Sequence, residues 1–398
     1  MRRKTVEKGN VLVVGYEGVG KTTLIKAVLG EDAEKKVAGT GKTSRANKDF
    51  QLYENPKISF RLIDTTGIEP GVFKEHKAVN AVKKWSGESI KNSDDDVDRI
   101  SVIWFCVDRF TAKLFPKTID SLMNAISVWH NAPIIVVITQ SYKDADTSKV
   151  QEIIEKAFLS KKKYATRLSE IMTVVAKPHT NEDGTIEPPQ GITELIELTN
   201  SLLPEGYQAA EKDVAKYNLS RRRAMSHAVV AAATLAGVTL GVGAPPFADA
   251  MLLKPTETVA VESISKIWGI KKTKQSKDFM KRIIDLGTKG EVGKMITSGL
   301  KMIPGLNIGA AIINGFVAGC VVLAVGEGAA YIFEQVYSGK KSMEDADWID
   351  KIMEDKAAKK VVDQMTDVVT NLPKKADKNA IVEVILDAFT KNVLASQK

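Results

Sequence analysis

Cysteine is nearly missing from this chain: two in 398 residues, Cys106 and Cys320. They lie far apart in apolar runs and read as buried small hydrophobes, which excludes a disulfide-stapled scaffold and predicts a reducing compartment. A signal-peptide core is lacking too. Met1-Arg2-Arg3-Lys4 is basic, but polar residues follow, and the first apolar run is only Val11-Leu12-Val13-Val14. A cytoplasmic protein is expected. No nucleic-acid reading module or aromatic stacking array is recognisable, so a nucleic-acid partner is not expected. The tail at 342–398 carries no catalytic His, Cys or Ser constellation. Charge of one sign is scarce as well: a net +8 is a mild excess at this length, and permits contact with an anionic surface without establishing one. Against these absences, 44% apolar and 27% charged residues describe an ordinary globular chain, long enough for two domains.

What is present begins with Gly15-Tyr16-Glu17-Gly18-Val19-Gly20-Lys21-Thr22, which fits G-x-x-x-x-G-K-S/T, a phosphate-binding loop. The apolar run before it is short enough for a buried strand. Leu24, Ile25, Val28 and Leu29 after it fall at helical spacing. Strand, glycine loop, helix is the order the motif requires. Glycines let backbone N–H groups turn inward around phosphate oxygens, and the helix N-terminus adds a field favourable to anions. Gly15, Glu17, Gly18, Val19, Gly20, Lys21, Thr22 and Thr23 are the residues expected on the phosphates. Lys21 would reach the β- and γ-phosphates, and the Thr22 hydroxyl would hold Mg²⁺.

From Gly30 to Phe50 the chain turns polar and basic and reads as a loop. It is either a solvated connection or a switch segment that sets a threonine on Mg²⁺ and the γ-phosphate. Thr40 and Thr43 are the candidates; Thr43, nearer the next strand-like stretch, is preferred. Stretches at 48–52 and 58–63, separated by Asn55-Pro56, read as a hairpin. The second ends in Asp64-Thr65-Thr66-Gly67. Asp64 suits a carboxylate beside the Mg²⁺ ligands, with the Gly67 N–H on the γ-phosphate.

On the loop at 15–22, the Thr43 region and the motif at 64–67, the chain resembles the translation-factor-related GTPases, most closely the Era-like group. The resemblance implies an α/β fold of the P-loop NTPase (Ras-like) kind: a mostly parallel, doubly wound, six-stranded sheet, with GTP or GDP and Mg²⁺ as cofactors. Further strands read at 101–107, 134–138 and 172–176, and helices at 117–130 and 148–158; that order supports a doubly wound sheet by itself. The family's base-reading motif, N/T-K-x-D, is incomplete. Thr139 keeps its place, but Gln140 replaces the lysine and Tyr142 stands at the aspartate position. A carboxylate there would accept both N1–H and the N2 amino group of guanine; a phenol cannot. Asp144, two residues on, is the substitute if the loop is lengthened. Ala176-Lys177 stands where the family's S/C-A-K loop sets a backbone N–H on guanine O6. Ile68 follows Gly67, where Ras-type enzymes place a water-orienting glutamine. Hydrolysis would then rest on Mg²⁺, Lys21, Thr43, the Gly67 backbone and an outside group: a partner side chain, K⁺ or a second protomer. Slow intrinsic turnover is expected. Glu69 is a weaker candidate for positioning water. The stretch at 74–100, with Trp85 and Asp94-Asp95-Asp96, reads as an enlarged second switch with solvated aspartates.

Past Pro204-Glu205-Gly206 the nucleotide-binding pattern ends, which sets the domains at 1–205 and 206–398. A polar helical segment at 207–219 leads through Ser220-Arg221-Arg222-Arg223 into two Ala/Gly-rich apolar segments, about 227–253 and 303–333. Each approaches the roughly 20 residues that cross a bilayer. The arginines fit a membrane flank. Pro245-Pro246, Asp249, Glu327 and Glu334 do not fit a span, and small residues at helical spacing suit close packing of two helices. A packed helical hairpin, reversible membrane contact and constitutive spanning are all kept open, the first favoured. Between the runs, 266–301 is rich in lysine, including Lys271, Lys272, Lys274, Lys277 and Lys281. It reads as a solvated helix face or as an anionic-lipid patch; on the second reading, 221–301 meets an anionic membrane surface. Ala248-Asp249-Ala250 after the double proline, and Ile303-Pro304-Gly305 before a Gly/Ala-rich helix, resemble the YcjF-type domain of unknown function that is fused to Era-like GTPases in bacteria. The tail at 342–398 reads as soluble helices.

The sequence thus reads as a GTP-binding, slowly hydrolysing switch whose nucleotide state controls a mostly α-helical C-terminal domain, with a partner, a membrane or self-assembly as output. Two rivals stand beside it. One is a membrane-remodelling GTPase of the immunity-related or dynamin-like kind, activated by dimerisation. The other is a nucleotide-binding scaffold without turnover. The partners these readings require are an activating protein or a homodimer, and the lipid reading adds peripheral contact at the inner membrane.

Overall fold

A computed structural model describes residues 8–30, 33–37, 50–65, 100–108, 119–120, 123, 126, 129–142, 144–243, 253–288, 294, 298, 310–344, 347–363 and 387. The chain divides into two compact units, Met1–Lys177 with Pro189–Arg221, and Pro178–Pro188 with Arg222–Lys398. The composition boundary at residue 205 precedes the change of unit at Arg221.

The first unit is built on strands β1 (Gly9–Gly15), β2 (Glu34–Val37), β3 (Phe50–Glu54), β4 (Phe60–Thr65), β5 (Ile100–Val107), β6 (Ile134–Thr139) and β7 (Leu168–Val174). They form one sheet in the order β2-β3-β4-β1-β5-β6-β7. The pairs from β4 through β1, β5 and β6 to β7 are parallel; β2–β3 and β3–β4 are antiparallel. The parallel strands therefore end along one edge, where a ligand of such a sheet binds. Helices α1 (Lys21–Leu29), α2 (Asp144–Leu159), α3 (Lys162–Ala165) and α4 (Ile192–Leu202) complete the described regular structure of this unit up to residue 202.

Both faces of the sheet are buried, which is why its central strands read as continuous apolar runs rather than as alternation. Leu12, Val14, Ile103, Phe105, Val107, Ile134, Val136 and Ile138 pack with Ile154 and Phe158 of α2. On the other face Trp104 is fully buried, edge-on to Phe60 at 6.0 Å, and its indole N–H donates to Thr199 Oγ1 of α4 at 3.1 Å. The hairpin expected around Asn55-Pro56 is present as β3–β4. Asn55 does two things there: its Nδ2 donates to the Leu29 carbonyl at the end of α1, at 2.7 Å, and its Oδ1 accepts the Lys57 N–H at 3.0 Å.

Two sequence expectations are corrected. The resemblance implies a six-stranded sheet; among the described residues the sheet has seven strands. The extra one, β2, lies inside the segment read as a loop between Gly30 and Phe50. Glu34-Lys35-Lys36-Val37 shows neither alternation nor an apolar run, because it is the outermost strand, and edge strands carry charge. The polar helix expected at 207–219 and the apolar segment after it are one helix, α5 (Glu211–Gly243), uninterrupted through the three arginines. The change in composition marks a change of surroundings along one rod, not a break.

The second unit holds a short hairpin of β8 (His179–Thr180) and β9 (Ile186–Glu187), the rest of α5, then α6 (Lys254–Ile267), α7 (Lys274–Thr288), α8 (Ala310–Tyr337), α9 (Asp347–Lys351) and a π-helical turn over Ile352–Ala358. Over residues 314–333 helix α8 is buried almost all round, as its lack of polar faces there requires. Phe333 of α8 and Trp348 each lie 6.3 Å from Phe279 of α7, ring centre to ring centre. Helix α7 is amphipathic: Phe279, Met280, Ile283 and Ile284 are buried, while Lys274, Lys277 and Lys281 are exposed. Its Arg282 pairs with Asp350 at 3.0 Å. Among the described residues two helices, Glu211–Val242 and Asn314–Tyr337, are long and apolar enough to cross a membrane; 50% and 83% of their apolar windows are buried in the fold.

Candidate functional site

The C-terminal ends of β1, β4, β5 and β6 converge on the loop at 15–20. Gly15 ends β1 so close to β5 that a Cβ would stand 2.4 Å from the Cys106 carbonyl oxygen, a contact only glycine avoids. The loop then turns through φ values of 81° at Gly18 and 91° at Gly20 into α1. The first turn of α1 has neither a side-chain cap nor an acidic residue, so its free N–H groups and positive dipole end stay available to an anion.

Lys21 is buried, 7% exposed, and its ammonium donates to the carbonyls of Gly15 and Tyr16, each at 2.9 Å. Burial pulls its pKa below the ordinary lysine value, against the opposing pull of the Asp64 and Glu17 carboxylates. Cys106 is pushed up to about 12 by the same burial, so it stays a neutral thiol. The Thr22 hydroxyl lies 3.5 Å from Asp64 Oδ2. Asp64 sits at the end of β4 opposite Val13 and is itself buried. A hydroxyl and a carboxylate at this spacing are hard oxygen donors, and Mg²⁺ takes one or two such groups with phosphate oxygens and water. The pair fits Mg²⁺. Of the other loop residues, Glu17 and Gly18 are exposed, Val19 is buried and Thr23 is half-buried.

At the end of β6 lie Thr139 and Gln140, two of the residues expected near the base. The Thr139 hydroxyl lies 2.5 Å from the Val19 carbonyl and 3.1 Å from the Val107 carbonyl, so it stitches the phosphate loop to β5. Gln140 has a left-handed backbone, φ 56°, and its Nε2 donates to the Gly18 carbonyl at 3.4 Å. Both side chains support the loop. The Tyr142 N–H closes a tight turn onto the Gln140 carbonyl at 3.0 Å, and its phenol is half-buried, with burial raising its pKa. Asp144 is the first residue of α2; its side chain lies outside the described set. Thr139 pairs in register with Val174, which brings the β6–α2 turn beside half-buried Ala176 and exposed Lys177 after β7. Thr40, Thr43, Gly67, Ile68, Glu69 and Trp85 lie outside the described residues.

Tyr217 of α5 has no local signal in the sequence. It is buried, its hydroxyl donates to the Val28 carbonyl in the last turn of α1 at 2.7 Å, and burial pushes its pKa up to about 12. One residue on, Asn218 donates to Glu197 of α4 at 2.7 Å. The start of α5 is thereby fastened to the helix that carries Lys21.

Residues 10–140 match the family described as 50S ribosome-binding GTPase. Over 206 residues the chain is 26% identical to GTPase Era of Geobacter sp. (strain M21), covering 52% of this chain. The chain spans 59% of the length of that relative. Solved structures with matching regions include the translation elongation factor SelB of Methanococcus maripaludis in its apo form, at 18% identity and TM-score 0.31, covering 51% of this chain and 35% of that one. Another is the ADP ribosylation factor-like GTP-binding protein, small COPII coat GTPase SAR1, of Encephalitozoon cuniculi with GDP, at 11% identity and TM-score 0.29, covering 43% and 70%. A strand, a glycine loop closed on a buried lysine, and a threonine beside a strand-end aspartate agree with that match: the first unit carries a GTPase domain similar to that of GTPase Era.

Proposed function

We propose that this chain is a GTP-driven switch with slow intrinsic hydrolysis, whose nucleotide state controls the helical unit. The observation that carries the reading is the phosphate end of the site. The Lys21 ammonium is held by two loop carbonyls at the start of α1, with Thr22 and Asp64 3.5 Å apart beside it. The loop N–H groups and Lys21 orient the phosphates and draw charge from the leaving diphosphate oxygens. Thr22, with Asp64 beside it, would hold Mg²⁺, which would supply Lewis acidity to the phosphates. Thr43 and Gly67 are the residues expected to close on the γ-phosphate. Ile68 brings no group that aligns water, so turnover waits on an activating protein, a cation or a second copy of the chain. The switch reading is supported by α5. Tyr217 reads the end of α1, and the same helix runs on to Gly243 in the helical unit.

The deciding measurement is the nucleotide that co-purifies with the chain, followed by phosphate release with and without liposomes. Retained guanine nucleotide with turnover below about one per minute is expected. Turnover that climbs steeply with protein concentration or liposomes would favour the membrane-remodelling rival. Tight GTP binding with no phosphate release would favour the scaffold. The reading carries a cytoplasmic location with peripheral contact at the inner membrane. Its lipid arm has its own test: reversing charge at exposed Lys271, Lys272 and Lys274 together should cut sedimentation with anionic vesicles at least about tenfold, each lysine near a charged surface being worth about 1 kcal/mol. Sedimentation equal to wild type would remove the patch from the reading.

Base selection gives a further test. Tyr142→Asp restores a carboxylate that accepts two guanine N–H groups. The GTP-over-ATP affinity ratio should rise by about tenfold or more, the value of an added charge-assisted pair. An unchanged ratio in a competition titration would assign base reading to another residue, Asp144 first.

A further inference from the structure

The chain passes between its two units at three peptide bonds, 177–178, 188–189 and 221–222. The first two bracket the β8–β9 hairpin, which was not among the elements the sequence suggested. It leaves the GTPase unit directly after Ala176-Lys177, the loop at the base end of the nucleotide site. It returns just before Gln190, which closes a stem on Val175 through two backbone hydrogen bonds of 3.0 and 3.1 Å. The base loop is thus a few residues strung between a stem fixed in one unit and a hairpin that belongs to the other.

The hairpin is stiff. His179 pairs with Glu187 and Thr180 with Ile186. Its turn is locked by Asn181 N–H to the Thr185 carbonyl at 2.8 Å, and by the Asp183 carboxylate, which accepts from the Thr185 N–H at 2.9 Å and hydroxyl at 2.6 Å. Pro178 on the way out and Pro188 and Pro189 on the way back fix φ and offer no backbone donor. Within the helical unit the hairpin is anchored on α6. Ile186 is buried, its carbonyl accepts from the buried Ser263 hydroxyl at 2.9 Å, and Glu187 lies 4.0 Å from Lys266. A slack linker would absorb a displacement of α6. Here only Pro178 separates residues 176–177 from the first hairpin strand.

We propose that the β8–β9 hairpin is a tether by which the helical unit sets the lifetime of bound guanine nucleotide: α6 holds the hairpin, and the hairpin positions Ala176-Lys177 over the base. The proposal rests on the nucleotide-site reading above. Ala176 and Lys177 are positioned residues, and Ile186 and Ser263 act through them. By linkage, whatever binds the helical unit and shifts α6 changes nucleotide affinity, and nucleotide changes that binding by the same factor.

The test follows mant-GDP release from the full-length chain, chased with excess GDP, together with hydrogen exchange across 178–188. Two variants act at different points: Ile186→Ala with Ser263→Ala frees the hairpin from α6, and Pro188→Gly with Pro189→Gly slackens its return arm. Each should speed mant-GDP release by at least about fivefold, the lower bound of ordinary coupling between sites. The first should also raise exchange at 179–187 while α8 stays protected. Release within about twofold of wild type in both variants overturns the tether. So does unchanged exchange at 179–187 in the first variant, which would mean that α6 is not the anchor. A wild-type chain that holds no mant-GDP is a separate outcome that fails the nucleotide-site reading itself.

Discussion

Replacing Lys21 by alanine should weaken GTP binding by about 100-fold or more, the loss of close to 3 kcal/mol expected when a charge-assisted contact to phosphate is removed. The ammonium is already seated, donating to the Gly15 and Tyr16 carbonyls at the mouth of α1. Exchange of those carbonyls for phosphate oxygens requires little side-chain ordering, so most of the electrostatic gain appears as affinity. Its lowered pKa does not undo this. Burial is opposed by Asp64 and Glu17, and bound phosphate adds more negative charge, which favours the protonated form. Lys21→Arg should fail as well: a planar guanidinium does not fit a cradle sized for an ammonium with two carbonyl partners. Titration with mant-GTP reads the loss, and circular dichroism checks that the variants fold. Affinity retained in Lys21→Ala would remove the phosphate site from residues 15–22.

What made this site legible was local. A phosphate loop is contiguous in sequence, so Gly15, Lys21 and Thr22 announce themselves by spacing. Asp64 does so because a strand-end carboxylate followed by a glycine falls in the right order. The central strands were legible because burial on both faces turns them into apolar runs. Elements whose form depends on distant partners were not. Strand β2 is charged because it lies at the sheet edge and is held by pairing to β3 rather than by its own pattern. The β8–β9 hairpin has two residues per strand and leans on Ser263, 77 positions away. Gln140 stands where a base-binding lysine is usual, and nothing in its spacing shows that its amide turns back to Gly18 through a left-handed backbone. Tyr217 is 189 positions from the carbonyl it meets. For the helical unit, the small residues gave the right physical suggestion, close packing of two helices. Their pairing needed the structure, because alanine and glycine show where a helix can be approached but not by what.

That pairing yields the other large effect. Helix α5 runs antiparallel to α8, as matched contacts show: Arg223 to Glu334 at 2.6 Å, His227 to Glu327 at 2.7 Å, Val230 against Gly326, and Gly241 against Gly315. The polar pairs hold one end, and the other end closes to backbone contact. A Cβ on Gly241 would stand 2.7 Å from both the Gly315 Cα and the Asn314 carbonyl oxygen. Elsewhere along the seam, at Gly237 and Gly326, the obstacle is the tip of a valine that can rotate. At Gly241 it is main chain, which cannot yield without moving a helix. Gly241→Leu should therefore destabilise the helical unit by about 3 kcal/mol, the upper end for overpacking. That lowers its melting midpoint by about 6–12 °C in a unit of this size. Thr239→Leu is the control. Thr239 is exposed on the same helix two residues earlier, and a change there should stay within about 0.5 kcal/mol. Scanning calorimetry of the full chain separates the two cases. A Gly241→Leu transition that coincides with wild type would mean that α5 and α8 do not meet at this seam in solution. The helical unit would then expose the apolar length of α5 to another partner, and the membrane-remodelling reading would gain what the switch reading lost.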